Sequence, residues 1–509
     1  MSIFKRATQL FHIGVATRRV QQSRSENERV LAKHALGRLL ADARGISMKV
    51  GQLLAGVDPD NPLQPLLNNI PALPLEQILP LLSSALGAPV HSSFKNIQPA
   101  AHAASLGQVH FAELLDGTPV AIKIRYPDIA NLVAAELALA GLMPEVGPVQ
   151  QWGFDLRAYK LALHSNMQRE LDYRSEAQRQ ESFRQQVQVE GLCVPKIYAA
   201  WSREQVLVQS RANGVMLTDV RHWSFAERKR VTEILLQTFF CSLFNAGEVH
   251  ADPHPGNYLF ERCASGKITV HLLDFGCTLS ISSTQRLALL KLIIACRKHQ
   301  AVSPLDCLVA LGFAADKLQF ILASLPALCQ ILLRPFNSDG VFIPAEWHLE
   351  PDIKQLLGED RWWFRAAGPA ELLWLMRAFQ GLLLQLEVLK TPVDWWANLL
   401  DTINPTLVER AQQLELPVIQ AQAPDFAGLA RRLQVLVTEN GEPRVNVTLP
   451  SAAVLQLEQI IPPDVIEKLE QSQTASLPEI MQRLRTQGLQ PQILFEFGDH
   501  AKRYKVWLE

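Results

Sequence analysis

The stretch HADPHPGN, His250 to Asn257, is followed at Leu272 to Gly276 by LLDFG. Two prolines and a glycine in the first stretch rule out a regular helix across it. It therefore predicts a loop whose polar groups, His250, Asp252 and Asn257, stand at offsets held by stiff residues. The strand-like run ITVHLL then leads into a second polar loop at Asp274. Loops of this kind often carry chemistry, provided a rigid scaffold holds them. The rest of the chain has to supply that scaffold.

At 509 residues the chain is long enough for two to four domains, and an apolar fraction of 48% is enough to bury large cores. A formal net charge of −1 gives no global argument for nucleic-acid binding, and none is expected. The seven cysteines are scattered, with no CxxC, so they suggest reduced thiols rather than zinc ligands or a disulfide framework. No secretory signal is read, and no uninterrupted apolar run approaches the ~18 residues of a membrane span. LALLKLIIACRK and LASLPALCQILLRPF are too short or carry Pro and charge. Near the N-terminus, Ile3, Phe4, Ala7, Leu10, Phe11 and Gly14 fall at helical spacing among Lys5, Arg6, Arg18 and Arg19. Such a basic amphipathic helix suits either a membrane surface or its own domain. The expected location is cytoplasmic, peripheral to a membrane at most.

Along the chain, residues up to about Leu86 read as helical, with Ser25 as an N-cap candidate. QVHFAELLDGTPVAIKI reads as a β-hairpin around Asp116-Gly117. A helical stretch through SNMQRELDYRSEAQRQESFRQQ follows, then IYAAW and VLVQS as strands, then a helix from Ser224 to Ala246. Residues from about Ser282 to Leu400 read as helical, and Trp362, Trp363, Trp374, Trp395 and Trp396 read as core. The last hundred residues form an α+β pattern. RVNVTLP alternates, SLPE has the capping-box form, and FEFGDHAKRYKVWLE reads as a closing hairpin. The expected segments are a helical extension at 1–93, a strand-rich lobe at 94–215, a helical lobe at 216–402 and a small α+β unit at 403–509.

Lys123 ends VAIK on a strand of apolar neighbours, where an ammonium is costly to bury unless paired. Asp172 and Glu176, four apart, are expected on one helix face, where like charges repel by a few tenths of a kcal/mol, about 0.2–0.5. Lys123 could neutralise one of them, and a second cation would be needed for the other. H-x-D-x-x-x-x-N followed by D-F-G is the protein-kinase arrangement. Phosphoryl transfer needs positioned charge more than covalent help: a lysine on the phosphates, oxygen ligands for magnesium and a carboxylate near the nucleophile. Lys123, Asp274, Asn257 and Asp252 supply that set in the required order.

HADPHPGN, AIKIRYPDI, ELDYRSEA and KVGQ together resemble the UbiB/AarF-domain (ADCK) atypical kinase family, from about Ala32 to Gly276 and more loosely to about Leu389. The resemblance implies an α+β, two-lobed protein-kinase-like fold with an N-terminal helical extension over the cleft. It implies binding of ATP or ADP with Mg2+, and activity closer to an ATPase or small-molecule kinase than to a protein kinase. Relatives of this kind support ubiquinone or other prenyl-lipid metabolism at membranes, so lipids or quinone-pathway enzymes are implied partners. Lys123 becomes the phosphate-binding lysine, Glu176 its helix partner and Asp252 the catalytic-loop aspartate. Asn257 and Asp274 become metal ligands. Lys49, Gly51 and Gln52 match KxGQ, and Glu170 and Asp172 match ExD. Lys49 is then the second cation, with Glu170 or Asp172 as its partner. Positions two apart point about 200° away from each other on a straight helix, so use of both acids requires a kink or a helix start there.

Some features depart from the family pattern. The alanine-rich phosphate loop reads HAAS, His102 to Ser105, so His102 replaces an alanine while Ala103, Ala104 and Ser105 remain to offer N–H groups. His102 is either a solvent-facing bystander or a modifier of nucleotide preference. The hinge reads VLVQSRANG where relatives often have Met-Glu. UbiB-type relatives often end in transmembrane helices, whereas this chain ends in the α+β unit, which puts direct insertion in doubt. The completeness of Lys123, Glu176, Asp252, Asn257 and Asp274 favours an enzyme over an ATP-binding pseudokinase scaffold. The short stretch between DFG and the next helix disfavours a protein kinase acting in trans.

Overall fold

The computed structural model describes residues 72–103, 106–131, 133–134, 154–263, 265–416, 418, 430, 432–457, 461–472, 476–487, 491–499 and 502–509. The contacts divide the chain into two units, the first running to Ile419 and containing both lobes of a kinase-like fold, the second including Gln420–Glu509.

The first lobe is an antiparallel sheet. β1 (Phe94–Lys95) and β2 (Ala101–Ala103) share one edge of β3 (Gly107–Leu114), which pairs with β4 (Pro119–Arg125). The β3–β4 hairpin turns at Asp116-Gly117, where Asp116 Oδ1 accepts from Thr118 N at 2.9 Å and Gly117 takes φ 93°, a left-handed conformation that glycine adopts without steric penalty. Alternation along β4 puts Val120, Ile122 and Ile124 on one face, against helix α1 (Leu75–Leu86) through Ile78 and Leu82. Burying each of those two side chains contributes about 1.5–3 kcal/mol. The opposite face of β4 carries Lys123.

Two helices follow, α2 (Leu156–Glu170) and α3 (Tyr173–Gln186), separated at Leu171–Asp172. β5 (Leu192–Cys193) and β6 (Val206–Ser210) come next, and β6 completes the sheet beside β4. IYAAW, expected as a strand, is not one. Ile197 makes a single bridge to Gln209, and the chain then turns, with Trp201 N donating to Tyr198 O at 3.1 Å. Its aromatic residues Tyr198 and Trp201 pack on the sheet core from a turn, so their apolarity marks burial and not strand pairing.

The second lobe is built on α4 (Phe225–Phe240), started by a Ser224/Glu227 capping box and ended by a π turn, Cys241–Ala246. β7 (Glu248–His250) leads into the HADPHPGN loop, which contains one 3-10 turn, Pro255–Asn257. β8 (Tyr258–Arg262) and β9 (Ile268–Leu272) form a hairpin, with β5 parallel to β9. β10 (Thr278–Ser280) pairs back onto β7. Helix α5 (Ser283–Lys298) begins at the Ser282/Gln285 capping box. Among the later helices are α6 (Leu372–Leu389), α7 (Trp395–Thr402) and α8 (Pro405–Gln413). Trp395 is fully buried among Phe240, Phe336, Phe342 and Phe379, and Trp374 is buried too, so the tryptophan patch is core at these two positions. α8 packs on this lobe through Leu407, Val408 and Ala411, which places 405–413 with the helical lobe although the sequence boundary was drawn at 403.

Ala315–Leu332 and Leu372–Leu389 are long and apolar enough to pass as membrane spans, against the expectation of no such run. The first is broken at Ile321, where the backbone leaves helical geometry. The second, α6, buries Trp374, Ala378, Leu382, Leu386 and Leu389 in the lobe. Core packing accounts for the apolarity of α6 without a bilayer.

The second unit is a four-stranded antiparallel sheet of β11 (Arg432–Glu439), β12 (Glu442–Pro450), β13 (Gln492–Asp499) and β14 (Lys502–Leu508), in the order β12-β11-β14-β13. Helices α9 (Pro463–Gln471) and α10 (Leu477–Gln487) connect its halves. Leu433, Leu469, Ile480, Leu484, Leu494 and Val506 form its core. The SLPE capping box is present, with Ser476 N donating to Glu479 Oε2 at 3.0 Å.

Candidate active site

Lys123 is where the two lobes meet chemically. Its Nζ lies 2.8 Å and 3.0 Å from the two oxygens of Glu176 on α3, and 3.0 Å from Asp274 Oδ2. It also stands 4.9 Å above the Tyr173 ring. One cation thus serves two carboxylates. Burial disfavours the lysine's charge, but Asp274 and Glu176 outweigh it and hold the ammonium charged well above the ordinary lysine range. Burial pushes the Glu176 carboxyl up to about 7 against the pull of Lys123, with Asp274 adding to the rise. The largest cause of the Glu176 rise is burial, and Lys123 and Arg179 oppose it.

Asp274 sits at φ 55°, a left-handed conformation that aspartate tolerates better than most residues. Its Oδ1 accepts from Gly276 N at 3.1 Å. His250, the first residue of the loop, donates from Nε2 to Asp274 O at 2.7 Å, and burial lowers its pKa so that the ring stays neutral. Asn257 Nδ2 donates to Asp252 O at 3.1 Å. That bond commits the donor end of the amide to the backbone and assigns its oxygen to the other side. Asp252 itself is buried and accepts from Arg377 Nη2 at 2.7 Å.

Asp172 is not on a helix face with Glu176, as the spacing predicted. It is the N-cap of α3, accepting from Arg174 N at 3.0 Å and Ser175 Oγ at 2.6 Å. An acid there is stabilised by the helix dipole, so the expected like-charge penalty does not arise. Glu170 ends α2, is buried, and accepts from Asn166 Nδ2 at 2.8 Å. It stands against the DFG loop: a Cβ at Gly276 would meet Glu170 Cγ at 3.3 Å. Ala103 lies on β2, and His102 beside it is exposed with its ring 5.3 Å from that of Phe111. Lys49, Gly51, Gln52, Ala104, Ser105 and the N-terminal basic stretch lie outside the described residues.

Two arginines join the site without having been singled out in the sequence. Arg179 Nε donates to Phe275 O at 3.1 Å and its Nη2 to Gly276 O at 3.3 Å. It lies three residues after Glu176, so one face of α3 holds both Lys123 and the DFG backbone. That spacing was available as a signal. Arg179→Leu is expected to lower stability by about 1.5–3 kcal/mol, the usual worth of hydrogen bonds from a charged donor. It is also expected to speed amide exchange at residues 274–277. Unchanged exchange there would show that the DFG loop is held by other contacts. Arg377, from α6, is 125 residues from Asp252 and carries no sequence signal of the kind used for the loops.

An antiparallel sheet bearing a lysine paired to a helix glutamate, joined to a helical lobe bearing D-x-x-x-x-N and DFG, defines a protein-kinase-like protein. Residues 65–303 match the ABC1 atypical kinase-like domain. An ABC1 family protein of Schizosaccharomyces pombe is 29% identical over 248 residues, 46% of this chain and 46% of that protein. A probable protein kinase UbiB of Marinobacter nauticus is 29% identical over 246 residues, 45% of each chain. Among solved structures, Rv3197 of Mycobacterium tuberculosis in complex with erythromycin overlays with TM-score 0.48 at 23% identity, covering 65% of this chain and 84% of that one. The chain spans about half the length of the curated relatives it matches.

Proposed function

We propose that the chain binds ATP or ADP with Mg2+ and transfers the terminal phosphoryl group to water or to a small, lipid-like acceptor, in support of ubiquinone or related isoprenoid-lipid metabolism. The observation that carries this reading is the meeting of Lys123, Glu176 and Asp274 within 3.0 Å, beside a loop that presents Asp252 and Asn257. Lys123 would take the nucleotide phosphates and Glu176 would hold it in place. Asp274 and Asn257 would hold the metal. The hard oxygen donors suit Mg2+, which usually takes one or two protein ligands and completes its shell with phosphates and water. No group of three or more His, Cys, Asp or Glu able to hold a metal occurs among the described residues, in keeping with so small a protein share. When bound, the ion neutralises charge on the transferring phosphoryl group. Asp252 would orient the nucleophile's O–H toward that group.

The acceptor class is read from the segment after DFG. β10 folds back on β7 at once, and α5 starts at Ser283, leaving six residues, 277–282, between Gly276 and the helix. That stretch offers little length for a peptide platform, which favours a small acceptor over a protein. The motif resemblance to UbiB/AarF-type kinases supports the quinone assignment, and the basic N-terminal stretch supports a cytoplasmic protein that touches a membrane peripherally. The test is to follow label from the γ-phosphate of ATP, with purified protein added to a lipid and metabolite extract. Label in inorganic phosphate or in the lipid fraction is expected. Label chiefly in protein would favour a protein kinase, and label left wholly in ATP would favour a pseudokinase scaffold. Quinone precursors should accumulate in a strain lacking the gene; an unchanged quinone profile would remove the pathway assignment.

A further inference from the structure

Helix α6 lies beyond residues 303, where the family match ends, yet one of its faces follows the loop that carries Asp252. Trp374 packs with Ala251 and Cys277. Arg377 pairs with Asp252. Gly381 is where Pro253 rests: a Cβ there would stand 1.9 Å from Pro253 Cβ. The Gln385 side chain stands beside the Tyr258 hydroxyl. Steps of three, four and four residues keep these positions on one helical stripe, so α6 reads the loop from Ala251 to Tyr258 as a template. Gly381 has a specific reason to be glycine, since any side chain would push the loop off the helix.

We propose that Arg377 is the positioning residue for Asp252, and that α6 therefore belongs to the active unit. The inference rests on the function proposed above. The Nη2–Oδ1 distance is 2.7 Å, and the two side chains are 13% and 8% exposed. A charge-assisted bond this short fixes the carboxylate's orientation. Asp252 thus becomes a fixed acceptor for the nucleophile's O–H instead of a side chain free to rotate. The guanidinium's other terminal nitrogen, Nη1, is buried and finds no hydrogen-bond partner among the described residues.

The test measures phosphate release from Mg-ATP by the full chain. In Arg377→Ala, kcat is expected to fall about 10- to 100-fold, the cost of a misplaced catalytic group, with KM for ATP within about threefold. Added guanidinium ion should restore part of the loss. In an Asp252→Asn background the same replacement should change kcat by less than about twofold, because the two residues act as a unit. Should Arg377→Ala fail to fold, Arg377→Lys and Arg377→Gln compared at matched Tm decide the matter, with lysine the more active. Wild-type kcat in Arg377→Ala, or equal kcat in the lysine and glutamine variants, overturns the inference and leaves the proposed function standing. A loss that guanidinium does not restore and that is equal in both Asp252 backgrounds makes Arg377 a structural strut and also overturns it. No turnover by wild-type protein overturns the function itself.

Discussion

Lys123→Met lowers the stability of the unliganded protein by about 3–5 kcal/mol, the cost of breaking a buried ion pair on one side. The size follows from the count of charges. Among the described residues, Lys123 pairs with both Glu176 and Asp274, and Glu176 is 1% exposed. Removing it leaves the glutamate facing an aspartate in a site where burial already pushes the Glu176 carboxyl up to about 7. The glutamate must then take a proton or the lobes must part. Lys123→Met with Glu176→Leu removes the stranded acid together with its cation and should recover most of the loss, since apolar replacement of a whole buried pair is often near neutral. Urea denaturation of the four proteins of this cycle checks the claim through the coupling energy. A single-variant loss below about 1 kcal/mol would put the pair in the class of exposed salt bridges and remove its structural role.

The second large effect is on ligand binding. At an ATP concentration about 100-fold above Kd, binding to the folded state alone stabilises the wild type by about 2.7 kcal/mol. In Asp274→Asn this gain is expected to fall, with Mg2+ present, to whatever ATP gives in EDTA. The asparagine keeps the shape of the side chain and can still accept from Gly276 N through its oxygen. It loses the charge that would hold the metal and that now helps hold Lys123. Loss of the metal-dependent part alone therefore separates ligation from misfolding. A metal-dependent gain equal to that of wild type would mean that Asp274 is not a ligand.

What could be read from the sequence was local. The β3–β4 hairpin was legible because Asp116-Gly117 is a turn with a known mechanism, and Ser476 announced a helix start through its capping-box form; the capping boxes at Ser224 and Ser282 appear only in the structure. Lys123, Asp252, Asn257 and Asp274 were legible because their spacing within loops and strands is short-range. Asp172 was misjudged because a helix N-cap and an interior position look alike until the break at Leu171 is seen. IYAAW was misjudged because buried aromatics in a turn carry the same composition as a strand. The Arg377–Asp252 pair lay beyond local reasoning altogether: it depends on α6 packing against a loop 125 residues away, with Gly381 permitting the approach. The apolarity of α6, which by composition alone suits a bilayer, is explained only by the lobe it packs into.

The central claim is that this kinase-like site turns over Mg-ATP. The direct measurement is release of inorganic phosphate from ATP by the purified full chain, in Mg2+ and in EDTA, for wild type and Asp252→Asn side by side. Release by the wild type in Mg2+, falling to background in EDTA and by about 100-fold or more in Asp252→Asn, is the expected result for a positioned catalytic carboxylate. Equal release by both proteins, or none from a wild type shown to bind ATP, would contradict it.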